Sequence, residues 1–295
     1  MMSLDKKKIY GLMLVILGST ISIAQEINVS LGGHLIVNSQ SYTNYKATGA
    51  LGYNAGMGYR YYLSPQWSIG SEVSYQRYNH KFKELEPKGS WSATDTEENN
   101  YEFRYKSRNR KEQINYHIIQ IPLTIQYETK GLVKWYVQTG FGIGLIVGTA
   151  QSKITMNDLT TSGYYAQWDA VLNGPNFMGF GDFKQINQKN DLALNTRYSW
   201  IVESGIKQEL SDSQSLYIGG YLDLGLNNLS RDSNYVSKNP ISIKNDYDNS
   251  IDLHSYWTQE ENRLEKFKNY QIGIKIRYSF KTRMRARLIK DDKFY

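Results

Sequence analysis

The segment Tyr270-Gln-Ile-Gly-Ile-Lys-Ile-Arg-Tyr-Ser-Phe280 carries the clearest structural signal in this chain of 295 residues. Its even-numbered residues are apolar or aromatic, and its odd-numbered residues are polar, charged or glycine. Successive side chains of a β-strand point to opposite faces, so this alternation predicts a strand with one apolar and one polar face. In a membrane barrel the apolar face contacts lipid and the polar face lines the interior.

The same alternation recurs along the chain and predicts eight strands. They span roughly residues 26–38, 47–63, 67–80, 112–128, 134–148, 196–210, 214–228 and 268–280. Tight turns alternate with the longer connections 39–46, 81–111, 149–195 and 229–267. Short turns at one rim and long loops at the other are typical of outer-membrane barrels. We therefore predict an all-β, up-and-down antiparallel transmembrane barrel of eight strands over 25–280, with ten strands as the alternative if 149–195 contains another hairpin.

Aromatic residues beside the predicted short turns form an independent signal, because aromatic side chains are enriched at membrane interfaces. On the outward parity, this girdle consists of Tyr59, Tyr61, Trp67, Tyr127, Trp135, Tyr278 and Phe280. A second group, Tyr75, Tyr198 and Trp200, lies toward the opposite rim. One aromatic group beside the short turns and another toward the long loops predict the two membrane–water interfaces. We expect the short turns and both termini to lie in the periplasm.

The two ends of the chain predict export and a separate tail. Residues 1–24 combine three lysines, a short apolar core and small residues at 22 and 24, as in a cleaved signal peptide. Residues 281–295 carry six cations and two anions and would form a basic periplasmic tail. The remaining body is close to neutral, which does not support nucleic-acid binding. The absence of Cys excludes disulfides and thiol chemistry.

Three stretches carry a family resemblance: Ile119-Gln-Ile-Pro-Leu-Thr-Ile-Gln-Tyr127, the segment 52–62 and the terminal strand. They resemble the PorT-like outer-membrane β-barrel family of Bacteroidetes, and the topology resembles eight-strand OmpA/OmpX-type barrels. The resemblance implies the outer membrane of a Gram-negative bacterium. The final strand also resembles the barrel-assembly signal, which implies contact with the assembly machinery through Gln271, Gly273, Ile276 and Tyr278.

Polar residues on the inward parity form a predicted interior network. Its members are His34, Arg60, Glu72, Glu203, Lys207, Asp223, Lys275 and Arg277. An eight-strand barrel is just wide enough for its own side chains, and confined charges need partners. Because cations and anions nearly balance, the set favours a salt-bridged plug, and a narrow pore is the alternative.

The loops and the tail supply the predicted contacts with partners. Cations that could meet anionic lipid, lipopolysaccharide or an envelope protein are Arg104, Lys106, Arg108, Arg110, Lys111, Arg283, Arg285 and Arg287. The strand-like run 101–106 predicts a hairpin outside the membrane, paired with 74–82, whose edge could accept another chain. The aromatic segment 163–183 is too apolar for a solvated loop and is expected to pack over the barrel mouth or onto a partner.

Catalytic and metal chemistry find little support. A nucleophilic dyad needs a serine beside a histidine, and the candidates are Ser74 with His80, or His117. The acidic run 246–252 lacks the Gly and Glu of a calcium loop. We therefore expect no cofactor and no metal. The sequence predicts a non-enzymatic protein for binding or scaffolding, for example an accessory subunit of a type IX secretion-like complex. A small passive channel and a lipid-A-modifying enzyme are the alternatives.

Overall fold

The computed structural model describes residues 25–38, 45–48, 51–231, 238–244, 251–258 and 267–282. Its strands are β1 (Gln25–Asn38), β2 (Tyr45–Thr48), β3 (Leu51–Tyr62), β4 (Trp67–Leu85), β5 (Lys88–Thr94), β6 (Asn100–Lys106), β7 (Asn109–Glu128), β8 (Val133–Tyr165), β9 (Ala170–Leu172), β10 (Gly181–Leu192), β11 (Arg197–Glu209), β12 (Gln214–Gly225), β13 (Ile241–Ile243), β14 (Ile251–Leu253) and β15 (Asn269–Thr282). Two 3-10 helices span Ala166–Trp168 and Asn176–Met178. No helix in these ranges is long and apolar enough to cross a membrane. The predicted signal peptide and the tail arginines lie outside the described residues.

Eight of these strands form a closed antiparallel ring. Its order is β1-β3-β4-β7-β8-β11-β12-β15. The last strand pairs with the first from Gln25↔Thr282 to Asn38↔Asn269, which closes the ring. A closed ring pairs the backbone polar groups of every strand and leaves no edge, as a membrane barrel requires. The predicted eight-strand barrel is confirmed.

The ring strands alternate between an apolar outer face and a polar inner face. In β15, Ile272, Ile274 and Ile276 are exposed on the outside, whereas Gln271 and Arg277 are buried inside. The outer face therefore suits lipid, and the polar residues are enclosed by the ring.

Large inward side chains lie over glycines of neighbouring strands. A Cβ built at Gly219 would lie 2.3 Å from the Tyr136 hydroxyl, and one at Gly273 would lie 2.7 Å from the Tyr221 ring. These distances are too short for a Cβ, so glycine at these positions makes room for an aromatic side chain in a narrow interior. Mid-strand glycines in the ring therefore have a packing role.

Three strands continue well beyond the ring at the end with the long connections, which we call the loop end. β4 runs to Leu85, β7 begins at Asn109 and β8 continues to Tyr165, so the predicted boundaries were too short. The far half of β8 pairs with β7 and β6 on one side and with β10 and β9 on the other. This loop-end sheet contains the hairpin expected within 149–195, but the hairpin stands beyond the ring and adds no barrel strand.

The alternation inverts where β8 leaves the ring. Within the ring Phe141 and Ile143 are exposed on the outside, whereas beyond it Ile154 and Met156 are fully buried on the inward parity and Lys153 is exposed on the outer face. Water replaces lipid around the outer face, so the apolar residues pack inward instead. The predicted strand ended near residue 148 because the outward apolar pattern ends there.

A bulge marks this transition. Val147 faces His117 and Gln151 faces Asn115, so β8 contains two more residues than β7 over this stretch. Gly148 has a φ of +72°, a left-handed conformation that glycine adopts without a Cβ clash. Bulges are frequent at barrel rims, where they re-aim the chain. Here the bulge separates the ring from the loop-end sheet.

Two apolar clusters fill the inside of the loop end. The mouth cluster caps the ring and consists of Ile36, Tyr78, Phe82, Ile114, Tyr116, Ile118, Ala150, Leu192, Leu194, Leu229, Tyr256, Trp257 and Phe267. The tip cluster lies farther out and consists of Tyr101, Phe103, Ile154, Met156, Leu159, Tyr165, Phe180, Ile241, Ile251 and Leu253.

Two sequence expectations about the loops need correction. Segment 163–183 contributes Tyr165 and Phe180 to the tip cluster, whereas the mouth cluster contains Tyr256 and Trp257 from the segment 251–258. Strand β6 pairs with β5 and with the end of β8, not with 74–82, which lies within β4 and pairs with β3 and β2 on one side and with β7 on the other. In both cases the apolar pattern showed that the segment packs, but the partner depends on cross-strand register.

The packing of Tyr136 over Gly219 predicts a position-specific cost of adding a methyl group. Gly219→Ala should lower the free energy of unfolding by about 1–3 kcal/mol, because the added Cβ overpacks the interior. Gly220→Ala is the matched control, since its Cβ meets nothing closer than 3.8 Å. Urea unfolding of both variants in lipid vesicles measures the difference. Equal stabilities for the two variants would contradict the packing role.

Candidate functional site

The predicted interior network lies inside the ring and is paired. Arg197 makes a two-pronged pair with Asp223 at 2.8 and 3.0 Å. Lys275 lies 2.7 Å from Glu72, and further ion pairs join Arg277 to Glu203 and Lys207 to Glu26 and Glu128. With Arg60, the interior holds five cations and five anions, which favours a neutral, cross-linked filling over a pore of one sign.

Sequence reasoning missed three members of this network: Glu26, Glu128 and Arg197. Each lies on the inward parity of a predicted strand, so the alternation contained the signal. All three are fully buried. The pairings themselves join residues far apart in the chain, such as Glu26 with Lys207, and follow from ring closure.

A dense polar cluster closes the short-turn end of the ring. The Lys207 ammonium lies 3.0 Å from Glu128, 3.3 Å from Glu26 and 2.7 Å from the Tyr62 hydroxyl. The Tyr217 hydroxyl donates to Glu26 at 2.7 Å. One cation is thus shared by two carboxylates, and the Tyr62 and Tyr217 hydroxyls supply further hydrogen bonds to them.

The two remaining predicted members make neutral contacts. Arg60 donates to Ser68 at 3.1 Å and to Gln138. The His34 Nδ1 lies 3.1 Å from the Tyr221 hydroxyl. A cavity of about 30 Å³ remains among the polar side chains of the ring. Such a volume holds one or two waters.

A buried carboxylate anchors the mouth segment, residues 251–258. Glu112 accepts hydrogen bonds from the Ser255 hydroxyl and from the backbone N–H of Tyr256, the latter at 3.0 Å. Arg110 lies 3.8 Å from the same carboxylate, and its guanidinium stacks 4.0 Å above the Tyr256 ring. Both ends of the ring are therefore covered by packed side chains.

A cleft of about 810 Å³ opens at the far tip of the loop end. Its walls come from the β5–β6 hairpin, the end of β8, the second 3-10 helix with Phe180, and the segment 239–244. Ring centroids lie 4.6 Å apart for Trp91 and Phe103, and 5.2 Å apart for Tyr101 and Tyr165. This volume and aromatic lining are typical of ligand sites. We call it the tip cleft.

Few charged groups line the tip cleft. Asp95 accepts backbone N–H bonds from Glu97 and Asn99, both at 2.9 Å, and a bond from the Tyr165 hydroxyl at 3.2 Å. Desolvation opposes ionisation, but these hydrogen bonds hold the pKa of the Asp95 carboxyl below its ordinary value. Burial and the charge of Asp95 raise the pKa of Tyr165 to about 12. At neutral pH this wall therefore carries one carboxylate and a neutral phenol.

Large apolar side chains are exposed beside the tip cleft. Trp168 is 60% exposed, Phe177 49% and Met178 40%. Val171 and Leu172 in β9 are exposed as well. Contiguous apolar groups on a surface mark interaction sites. The tip of the loop end is therefore the strongest candidate binding surface in the described part of the chain.

The predicted girdle residues lie on the outer face near the short turns. Tyr59, Trp67, Trp135 and Phe280 are exposed, and Tyr61, Tyr127 and Tyr278 are partly exposed. The residues resembling an assembly signal divide between the two faces of β15. Gln271 bonds to Tyr78 inside and Gly273 packs against Tyr221, whereas Ile276 and Tyr278 lie outside.

The predicted basic run does not form one surface. Arg110 is buried inside the loop end, as described above. Arg104 pairs with Glu102, and Arg108 pairs with Asp158 at 2.9 Å. Lys106 and Lys111 are exposed. Neither forms an ion pair with a described residue, in contrast to the other described cations of the run.

The candidate catalytic residues are not assembled. Ser74 and His80 lie six residues apart on β4, and His80 contacts the Tyr116 hydroxyl at 2.9 Å. His117 faces outward and lies 2.6 Å from the Tyr75 hydroxyl. Within the described ranges, no group of three His, Asp or Glu side chains could hold a metal. Most of the acidic run 246–252 lies outside those ranges.

The interior pairing predicts strongly non-additive mutational costs. Arg197→Met or Asp223→Leu alone should lower the free energy of unfolding by about 3–5 kcal/mol, because each leaves a buried charge unpaired. The double variant should recover most of this loss. Arg108→Met is the control, because its 2.9 Å pair with Asp158 is solvent-exposed and should contribute below about 1 kcal/mol. Urea titration in lipid vesicles measures all four variants, and additive costs would refute the coupling.

Comparisons with solved structures return bacterial proteins that are about a tenth identical to this chain in sequence. Neisserial surface protein A is 10% identical, with 86% of this chain and 97% of that chain covered and a TM-score of 0.35. Ail, the attachment invasion locus protein of Yersinia pestis, is 10% identical, with 88% and 100% covered and a TM-score of 0.34. OprG from Pseudomonas aeruginosa is 9% identical, with 89% and 97% covered and a TM-score of 0.37.

The family comparison is direct. No curated protein matches the chain significantly. The model of the outer membrane protein beta-barrel domain family matches residues 19–231, which is well over half of the sequence. The closed ring, its apolar outer face and its paired polar interior agree with that match. This chain therefore belongs to the outer membrane protein beta-barrel domain family.

Proposed function

We propose that the protein is a non-enzymatic binding protein of the outer membrane that docks another protein at its loop end. The observation that carries this proposal is the tip cleft, an aromatic-walled cavity of about 810 Å³ held beyond the lipid-facing band. In the proposed orientation the short turns and both termini face the periplasm, and the loop end faces the cell exterior, as is usual for barrels of this type.

A protein partner suits this surface better than a small polar ligand. Aromatic residues and Met are enriched at protein interfaces, where a few desolvated anchors dominate affinity. The tip cleft combines both residue types with two charged lining residues, Asp95 and Lys244. Phe177 and Met178 line the cavity and remain exposed, and exposed Trp168 extends the apolar surface beyond it.

The strand β5 offers a second means of attachment. In the described part of the chain it pairs with β6 on one side and with no strand on the other. Trp91 and Ala93 of the same strand line the tip cleft. An extended segment added along this edge would pair by backbone hydrogen bonds and place alternate side chains in the cavity. The sequence predicted an open edge on a hairpin of 101–106 with 74–82, whereas the edge proposed here belongs to β5, the partner of β6.

A role as accessory subunit of an envelope machine is the more specific form of this proposal. Its support is the PorT-like resemblance of residues 52–62 and 119–127 and of the final strand, with type IX secretion as the setting that the resemblance implies. The basic segment 281–295 would be a second contact, on the periplasmic side, with an acidic partner.

Filling of the ring predicts that the protein does not conduct ions. Glu203→Gln with Asp223→Asn should destabilise the barrel without opening it, because Arg277 and Arg197 remain in the interior and bulk side chains are retained. Planar-bilayer recordings of this variant and the unaltered protein provide the measurement. A new, stable conductance would favour the channel alternative instead.

The docking proposal predicts loss of a partner on mutation of the tip. Phe177→Ser with Met178→Ser should weaken capture by at least about tenfold, as expected for interface anchors. Leu85→Ser is the control, because Leu85 is 66% exposed and does not line the tip cleft. Affinity purification from native outer membranes in mild detergent, with quantitative mass spectrometry, compares these variants.

A third variant lacking residues 281–295 separates the two ends of the molecule. Docking at the loop end is supported if the unaltered protein and the tail-deleted variant both capture a stoichiometric partner and the tip variant does not. A partner lost only with the tail would place the contact in the periplasm and contradict the proposal for the tip cleft.

A further inference from the structure

A cluster of lysines lies on the outer face of the loop-end sheet, on the side away from both apolar clusters. Lys81 and Lys83 come from β4, Lys111 from β7 and Lys153 from β8. All four are exposed. They line a depression of about 340 Å³ together with Gln113 and Thr155. We call these four residues the lysine patch.

Cross-strand register brings the lysine patch together. Gln113 faces Lys81 on one side and Lys153 on the other, which places these three residues in one row. Lys83 faces Lys111 directly in the next row. Neighbouring strands lie about 4.8 Å apart, so the four ammonium groups share a surface roughly 10 Å wide.

On the face that carries the lysine patch, lysines outnumber acidic residues, and the acidic residue next to them is Asp191, which is exposed on β10 one row away from Lys189. None of its four lysines forms an ion pair with a described residue. The outward residues beside them in these rows are Gln113, Thr155, Asn187 and a further cation, Lys189, which faces Lys153. Like charges directly opposite each other destabilise a sheet. An anionic ligand would offset this repulsion.

The position of the lysine patch indicates which anion it meets. The outward apolar residues of β4 end at Tyr75, six residues before Lys81. With about 3.3 Å per residue and the usual strand tilt, the lysine patch lies roughly 15 Å beyond the aromatic level. In the outer leaflet of an outer membrane, the acidic core sugars of lipopolysaccharide occupy this layer around a barrel.

We propose that Lys81, Lys83, Lys111 and Lys153 form a binding site for the phosphate and carboxylate groups of the lipopolysaccharide core. The inference is independent of docking at the tip cleft, because the lysine patch lies on the outer face of the sheet and the cleft on the inner side. Gln113 and Thr155 supply neutral hydrogen-bonding groups for sugar hydroxyls between the cations. Binding here would attach the projecting sheet to the surrounding saccharide layer.

The test compares two quadruple variants, in each of which four lysines are replaced by glutamine, so that both have the same change in net charge. One replaces the lysine patch by glutamine at 81, 83, 111 and 153, and the control replaces the exposed lysines 88, 130, 184 and 238. Each full-length protein is titrated in detergent with purified rough lipopolysaccharide and with the same material after phosphatase treatment. Inorganic phosphate serves as a competitor.

The patch variant should bind intact lipopolysaccharide on the order of tenfold to a hundredfold more weakly than the unaltered protein, whereas the control variant should change little. Phosphatase treatment should weaken binding of the unaltered protein. Millimolar inorganic phosphate should not displace lipopolysaccharide, and displacement would identify a free-anion site instead.

Equal losses of affinity for lipopolysaccharide in both quadruple variants would overturn the proposal, because they would show a general effect of net charge. The proposal would also be overturned by two results together: the unaltered protein binds phosphatase-treated lipopolysaccharide as tightly as the intact material, and the patch variant binds intact lipopolysaccharide as tightly as the unaltered protein. Thermal melting without ligand is a second check. The patch variant should be at least as stable as the unaltered protein, since like-charge pairs have been removed, and a marked loss of stability would assign these lysines a structural role.

Discussion

Closure of the ring between β1 and β15 is the constraint on which the rest of the structure depends. Lipid offers no hydrogen-bonding partner to a backbone, so every strand in the membrane must pair on both sides. With eight strands, closure also sets an interior that is only as wide as side chains. Glycine at Gly219 and Gly273 then makes room for Tyr136 and Tyr221. The outer apolar face, the narrow lumen and the pattern of small residues thus share one cause.

Enclosure in turn determines the chemistry of the interior. Charged groups removed from water are costly unless they are paired and hydrogen-bonded, and the ring brings Arg197 to Asp223 and Lys207 to two carboxylates. A charge left without a partner in this interior would therefore lower the free energy of unfolding, and the cations and anions of the network are equal in number. The mouth cluster caps this paired interior at the loop end.

The loop end carries two surfaces of different character on opposite sides of one sheet. The inner side is apolar and closes around the tip cleft, and the outer side presents the lysine patch. Three ring strands continue into this sheet, so both surfaces are held on the rigid framework of the barrel. A rigid framework reduces the ordering cost of binding. The proposed partner and the proposed saccharide contacts would therefore act on a surface already in place.

The sequence by itself determined the ring, because a period of two with one apolar face is imposed locally by strand geometry and by lipid. It indicated the inward faces of the strands, and therefore residues such as Glu203 and Lys275. It missed the far half of β8, because the apolar side of that strand changes where water replaces lipid. Only the tertiary structure decided which residues meet. The mouth segment, the tip cleft and the lysine patch each bring together parts of the chain that are distant in sequence. The register across the strands is set by ring closure and by the bulge at Gly148, and the local pattern does not contain it.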